Sequence, residues 1–246
     1  MRVGLFIPCY IDQFYPQVGI ATLTLLERLG IEVEYPTDQT CCGQPMANSG
    51  SFKDAEKAAK NHLEIFRKYD TVVCPSGSCV CFVREQYGRL VDQEGADALR
   101  QNTYELCEFL TDIVKVDSME VSFPYKVGLH NSCHATRGLR LSKSSELIGK
   151  PYSKVRDLLS MVKDLQLVEL EKEDECCGFG GTFSVNEEAV SCKMGIDRIR
   201  DHEKAGAEVI TSVDMSCLMQ MEGLIRRQQK PMRVHHIAEI LAGTAQ

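Results

Sequence analysis

The chain of 246 residues carries 28 Lys and Arg against 35 Asp and Glu, a formal net charge of −7, with 18 Gly, 12 Cys and no Trp. This excludes collagen-like, disordered and coiled-coil classes, and the acidic balance argues against nucleic acid or an anionic membrane as a partner. With 43% apolar residues the chain can bury one or two cores without disulfides, so its cysteines call for another explanation.

The apolar run 3–8 is predicted as a buried strand. Gln17–Leu29 follows as a helix with Val18, Ala21, Leu25 and Leu26 on one face and Gly30 at its C-cap. Ile31–Tyr35 is a second strand, Ser51–Tyr69 a helix, Asp70–Cys74 a third strand, and Cys79–Leu90 a helix. Segment 105–116 is expected as a connecting helix. The order then repeats: strand 125–130, helix 153–163, strand 166–170, helix 185–204, strand 207–211, helix 215–227, with 234–242 as a closing helix. The expected fold class is therefore α/β, two pseudo-repeated β-α-β-α-β-α halves, each with a parallel sheet and right-handed crossovers.

Sequence matches support the duplication. Val3-Gly4-Leu5-Phe6-Ile7-Pro8-Cys9 reappears as Val127-Gly128-Leu129-His130-Asn131-Ser132-Cys133. Cys41-Cys42-Gly43 is echoed by Cys176-Cys177-Gly178, and the segment ending at Cys79 by the one ending at Cys217. A Cys-Cys-Gly triplet is expected about 0.04 times from this composition, so two in equivalent positions are not accidental. The halves are drawn as 1–118 and 122–246. In both, the cysteines fall just past strand ends, the carboxyl edge where parallel sheets build their sites. Each half thus brings four thiols to one rim: Cys9, Cys41, Cys42 and Cys79, then Cys133, Cys176, Cys177 and Cys217.

Sets of four thiolates serve zinc or iron–sulfur clusters. Zinc knuckles use short Cys-x₂₋₄-Cys hooks, whereas 31 residues separate the first two ligand positions in one half and 42 in the other. Adjacent cysteines suit a polynuclear cluster better than one tetrahedral ion, which favours iron–sulfur and leaves zinc as an alternative in the second repeat. Cys107 and Cys192, on predicted helices without counterparts, read as core. Cys74 ends an apolar strand, and Cys81 is two residues from Cys79; both are additional candidate ligands. Ser76 and Asp214 precede Cys79 and Cys217 by three residues, where an N-cap is the default and Asp214 as an unusual ligand the sharper option. His130 and His134 can bond sulfur or relay protons, or simply be satisfied by backbone. His235-His236 reads as surface. Gly178-Phe179-Gly180-Gly181 lacks the G-x-G-x-x-G spacing of a dinucleotide site.

The doubled pattern Cys9…Cys41-Cys42-Gly43…Cys79 and Cys133…Cys176-Cys177-Gly178…Cys217 resembles the duplicated cysteine-rich CCG domain. That domain occurs in the cysteine-rich component of heterodisulfide reductase and in the iron–sulfur subunits of glycolate oxidase and anaerobic glycerol-3-phosphate dehydrogenase. The last two carry ferredoxin-like cysteine runs ahead of the CCG halves, whereas this chain opens on its first strand. With Gly4-Leu5-Phe6-Ile7-Pro8-Cys9 and Cys41-Cys42-Gly43-Gln44-Pro45, it is most similar to the LutA/YkgE family of lactate-utilisation protein A. In heterodisulfide reductase a closing Cys-x-x-Cys helps five cysteines bind a noncubane cluster. Here Ser76 and Asp214 stand at the upstream positions, which favours an ordinary 4Fe-4S cluster or a more labile site in the second half.

The resemblance implies an iron–sulfur electron-transfer subunit of a complex that oxidises L-lactate to pyruvate. Its expected partners are a ferredoxin-type iron–sulfur protein of the same complex and a further lactate-utilisation subunit. No run approaches the ~20 apolar residues of a membrane span, and the opening residues lack a signal-peptide core, so a reducing, cytoplasmic location is expected. Two rivals remain: a zinc-binding scaffold subunit, and a thiol–disulfide reductase using Cys79 and Cys81.

Overall fold

A computed structural model describes residues 1–91 and 93–245. The first half runs β1 (Arg2–Leu5), α1 (Cys9–Phe14), α2 (Pro16–Arg28), β2 (Glu32–Glu34), α3 (Gln44–Asn48), α4 (Phe52–Phe66), β3 (Val72–Cys74), α5 (Gly77–Leu90), α6 (Gln93–Asn102), β4 (Thr103–Glu105) and α7 (Leu106–Glu108). The second runs β5 (Lys126–Leu129), α8 (Lys154–Ser160), β6 (Gln166–Val168), α9 (Phe183–Asn186), α10 (Glu188–Lys204), β7 (Val209–Ser212), α11 (Met215–Arg227), β8 (Arg233–His236) and α12 (Ile237–Ala242). Wide π-type turns occupy Phe109–Val114 and His134–Gly138.

The two sheets have the same strand order, β2-β1-β3-β4 and β6-β5-β7-β8, and every pairing is parallel. Equivalent registers follow: Val3 lies opposite Val33 in the first sheet, as Val127 lies opposite Leu167 in the second. Parallel strands covered on both faces read as continuous apolar runs, which is why Val72-Val73-Cys74 and Val209-Ile210 are fully buried. In each sheet the order reverses direction beside its first strand, so the loops leaving β1 and β3, or β5 and β7, diverge and leave a crevice at their carboxyl ends.

Each sheet has a fourth strand that the periodicity did not reveal. Thr103–Glu105 ends where the expected connecting helix, 105–116, begins, and Arg233–His236 overlaps the start of the expected closing helix, 234–242. Both are too short to show a period, and each is specified by pairing with its neighbour, β4 on β3 and β8 on β7. His236 is consequently buried, not on the surface. Its side chain accepts from the Ala238 amide at 3.2 Å, while Glu239 accepts from the His236 amide at 2.8 Å, closing a capping box on α12.

The halves share their largest core, which joins Val3, Leu5, Leu25 and Leu26 to Val127, Leu129, Val209 and Leu241. Helix α12 of the second half packs against α2 of the first. There Arg28 donates to the carbonyls of Leu241 (2.6 Å) and Ala242 (3.2 Å), satisfying C-terminal acceptors of α12. Tyr15 adds a second bridge, donating to Glu222 on α11 at 2.7 Å. Among the described residues no helix is long and apolar enough to cross a membrane.

Candidate functional site

Four sulfur-bearing positions per half converge because three loops end at the same sheet edge. Cys9 opens α1 directly after β1, Cys41 and Cys42 lie between β2 and α3, and Cys79 sits in the first turn of α5 after β3. In the second half Cys133, Cys176, Cys177 and Cys217 occupy the same places around β5, β6 and β7. All eight line one cleft of about 120 Å³ between the halves, together with Tyr10, His134, Phe179 and Asp214. Sequence order alone joined the cysteines within each half. Only the packing brings the two quartets to a common cleft.

The paired cysteines turn on a glycine in the left-handed region, Gly43 at φ 97° and Gly178 at φ 84°. That turn aims the Gly43 amide at the Cys41 sulfur (3.5 Å) and the Gly178 amide at the Cys176 sulfur (3.4 Å). In the first quartet the sulfurs of Cys9 and Cys41 are 3.5 Å apart and those of Cys42 and Cys79 3.6 Å apart. The Cys41 thiol is drawn down to about 3 because the thiols of Cys42 and Cys9 and the Gly43 amide all donate to it. Cys176 is drawn down to about 2 by Cys133, Cys177 and the Gly178 amide. Donating to those sulfurs, together with burial, pushes Cys9, Cys42, Cys133 and Cys177 up. Each quartet thus favours the thiolate at one sulfur, the form that ligates metal, beside thiols whose protons a metal would displace.

Asp214 does not cap its own helix. Buried to 1% exposure, its carboxylate reaches into the first half, accepting from the Ser76 hydroxyl (2.8 Å) and the Ser78 amide (2.9 Å), and also from Ser132. It therefore ties the N-terminus of α5 to the turn that carries Cys133. Gly77 makes this approach feasible: a Cβ there would sit 2.8 Å from that of Ala135. Ser76 does cap α5, accepting from the Cys79 amide at 3.4 Å.

The other four cysteines stand outside the quartets. Cys74 is buried with its thiol directed to the Ser76 carbonyl at 4.0 Å. Cys81 opens onto a separate pocket beside Phe52 and Glu85, with its thiol pushed up to about 12, first by burial and then by Glu85. Cys79 and Cys81 thus face different cavities, which gives the thiol–disulfide reading no support. Cys107 is fully buried, while Cys192 is only partly so. His134 lies 3.8 Å from the Cys133 sulfur. His130 is 1% exposed with its Nδ1 unpartnered, and one of its ring nitrogens lies with the sulfurs of Cys177 and Cys217 in a group spanning at most 4.8 Å. Sequence reasoning noted His130 without separating it from a backbone-satisfied histidine. The signal was its position, since Phe6 stands there in the first copy.

The donor set fits a metal group: eight soft sulfurs, backbone amides directed at two of them, and a buried imidazole beside the second quartet. The cysteine-rich CCG domain matches this chain twice, over residues 3–84 and 127–222. Lactate utilization protein A of Halalkalibacterium halodurans is 45% identical over 245 residues, covering 98% of this chain and 96% of that protein. The proteins of that name from Bacillus pumilus and Bacillus subtilis are 43% and 42% identical, each with 98% of this chain and 99% of the relative covered. A crystal structure of a hypothetical protein from Helicobacter pylori shares the fold at 11% identity and a TM-score of 0.58 over 100% of this chain, which spans 49% of that structure. The chain therefore carries two cysteine-rich CCG domains and belongs to the family of lactate utilization protein A.

Proposed function

We propose that this chain is an iron–sulfur electron-transfer subunit of a cytoplasmic complex that oxidises L-lactate to pyruvate. The observation that carries the reading is the convergence of two thiol quartets on a single cleft. Cys9, Cys41, Cys42 and Cys79 would hold one cluster, Cys133, Cys176, Cys177 and Cys217 the other, both of the 4Fe-4S type. When bound, such clusters accept and release single electrons, so two of them match the two electrons released when a 2-hydroxy acid becomes a 2-oxo acid. The substrate class comes from the relatives, which are named for lactate utilization.

The chain's own residues suit conduction better than substrate binding. Among the described residues no Lys or Arg lines the cleft, and its one carboxyl group belongs to Asp214. A lactate carboxylate would find no cationic partner there, whereas carboxylate recognition ordinarily recruits Arg. Lactate oxidation then belongs to another subunit, with a ferredoxin-type iron–sulfur protein relaying the electrons. The twelve unbridged thiols accord with a reducing compartment. Residues 1–118 and 122–246 are the proposed domains.

Zinc in the second half is the alternative that the His130, Cys177 and Cys217 grouping favours, since zinc takes mixed nitrogen and sulfur ligands. Anaerobic purification followed by iron, sulfide and EPR analysis tests the main reading. Brown protein with iron and sulfide is expected, and Cys41→Ser or Cys42→Ser should remove the iron of the first site. Colourless protein holding zinc alone after reconstitution overturns it.

A further inference from the structure

The two halves build the floor beneath their cysteines from equivalent positions but different chemistry. A Cβ on Gly43 would meet the Ala55 carbonyl, as one on Gly178 would meet that of Ser191. Helices α4 and α10 therefore correspond residue for residue: Ala55, Ala59, His62 and Phe66 are the buried face of one, and Ser191, Gly195, Arg198 and His202 stand in their places on the other. At the strand end Phe6 corresponds to His130. The first floor is aromatic, with Phe6 packed edge-on against His62 (4.4 Å between centroids) and Phe66 (5.6 Å). The second replaces those rings with His130, Arg198 and His202, all buried.

His130 is held to its place. Its amide donates to the Thr211 carbonyl and its carbonyl accepts from the Ser212 hydroxyl, each at 2.8 Å, so strand pairing fixes the ring beneath the cysteines. A buried ring nitrogen without a partner is costly and calls for an acceptor, a donor or a metal. Grouped with two sulfurs at ligand spacing, this imidazole has the geometry of a metal donor. The first half has a phenyl ring at that position, and its own buried imidazole, His62, packs against Phe6 and Phe66.

We propose that His130 is a ligand of the metal group held by the second quartet, so that this site is a mixed imidazole–thiolate centre while the first is ligated by thiolates alone. The proposal rests on the reading that the second quartet binds metal, but not on whether that metal is iron or zinc. Where His130 takes the place of one of the four thiolates, a neutral donor for an anionic one would raise the reduction potential of a cluster held there. Arg198, paired through Nη1 with Asp201, stands on the same floor.

The test uses the full chain, reconstituted anaerobically after selective ¹⁵N-histidine labelling, with Cys41→Ser introduced to silence the first site. Pulsed EPR of the reduced protein should show a strong imidazole nitrogen coupling that survives in His134→Gln and is lost in His130→Phe. A cluster signal without histidine coupling, or coupling that persists in His130→Phe, overturns the proposal; the first result needs only the native His130, so it stands even if the variant does not fold. If the second quartet takes zinc, the iron–sulfur reading of that site fails while the ligand proposal is still decided. X-ray absorption should then show a nitrogen shell at about 2.0–2.1 Å beside sulfur at about 2.3 Å, and a sulfur-only shell overturns it. A second quartet that binds neither metal overturns both.

Discussion

Single residues in this protein act through the donors and acceptors that burial leaves them. Asp214 joins the halves because three donors, from Ser76, Ser78 and Ser132, converge on its buried carboxylate. Asp214→Ala takes that shared acceptor away from buried groups, which costs on the order of 2–4 kcal/mol. Urea unfolding should show that loss, and a midpoint unchanged from the native chain would refute the bridging role. Glu105 illustrates the opposite case. It is fully buried, and although the amides of Cys107 (2.7 Å) and Glu108 (3.3 Å) donate to one oxygen, the other has no partner. Burial pushes its carboxyl from 4.5 up to about 8. The folded state thus holds the proton more tightly than the unfolded one, so this contribution is complete below pH ~4.5 and is lost as pH rises toward 8. Stability should fall by up to about 1.4 kcal/mol per pH unit across that window, and Glu105→Gln should flatten the slope. An equal slope in the variant would assign the pH dependence to other groups.

Between elements, close approach decides which small residues are irreplaceable. Helix α5 meets the turn at His134–Gly138 so tightly that a Cβ on Gly77 would clash with Ala135, and one on Gly138 would clash with the Cys81 sulfur. Gly77→Ala should therefore destabilise by about 1–3 kcal/mol, as overpacking does. Ala135→Gly in the same chain should restore part of that loss, because the two positions share one contact. Additive thermal shifts in the double variant would mean that the halves do not meet there. The Arg84–Glu108 pair shows the same dependence on neighbours: two parallel contacts, at 3.0 and 2.7 Å, tie α5 to the segment after β4. Partial burial makes this fork worth more than the exposed i,i+4 pairs such as Lys60–Glu56.

At the scale of the whole molecule, the two repeats are joined through a shared core. Because the largest core spans both halves and α12 covers α2, residues 1–118 expressed alone would expose Val18, Leu25 and Leu26 to water. Truncation at 118 should give an aggregating or partly folded fragment by circular dichroism and gel filtration, and mixing it with 122–246 should recover structure. A fragment that unfolds cooperatively by itself would contradict the shared core. Much of this architecture was legible in the chain. The doubled cysteine pattern, the order of alternating strands and helices, and the helix 215–227 were readable because ligand spacing, strand ends and apolar periodicity are local properties. Strands β4 and β8 were not, since three or four residues carry no period and owe their form to pairing. The burial of His236, the crossing of Asp214 into the other half and the meeting of both quartets in one cleft were likewise invisible. The sequence by itself determined which sulfurs belong together within each half, through the β-α-β order that sends them to one sheet edge. Only the tertiary structure decided that the two edges face each other and that His130 lies beneath the second quartet, because contacts between residues tens of positions apart depend on packing that no local pattern encodes.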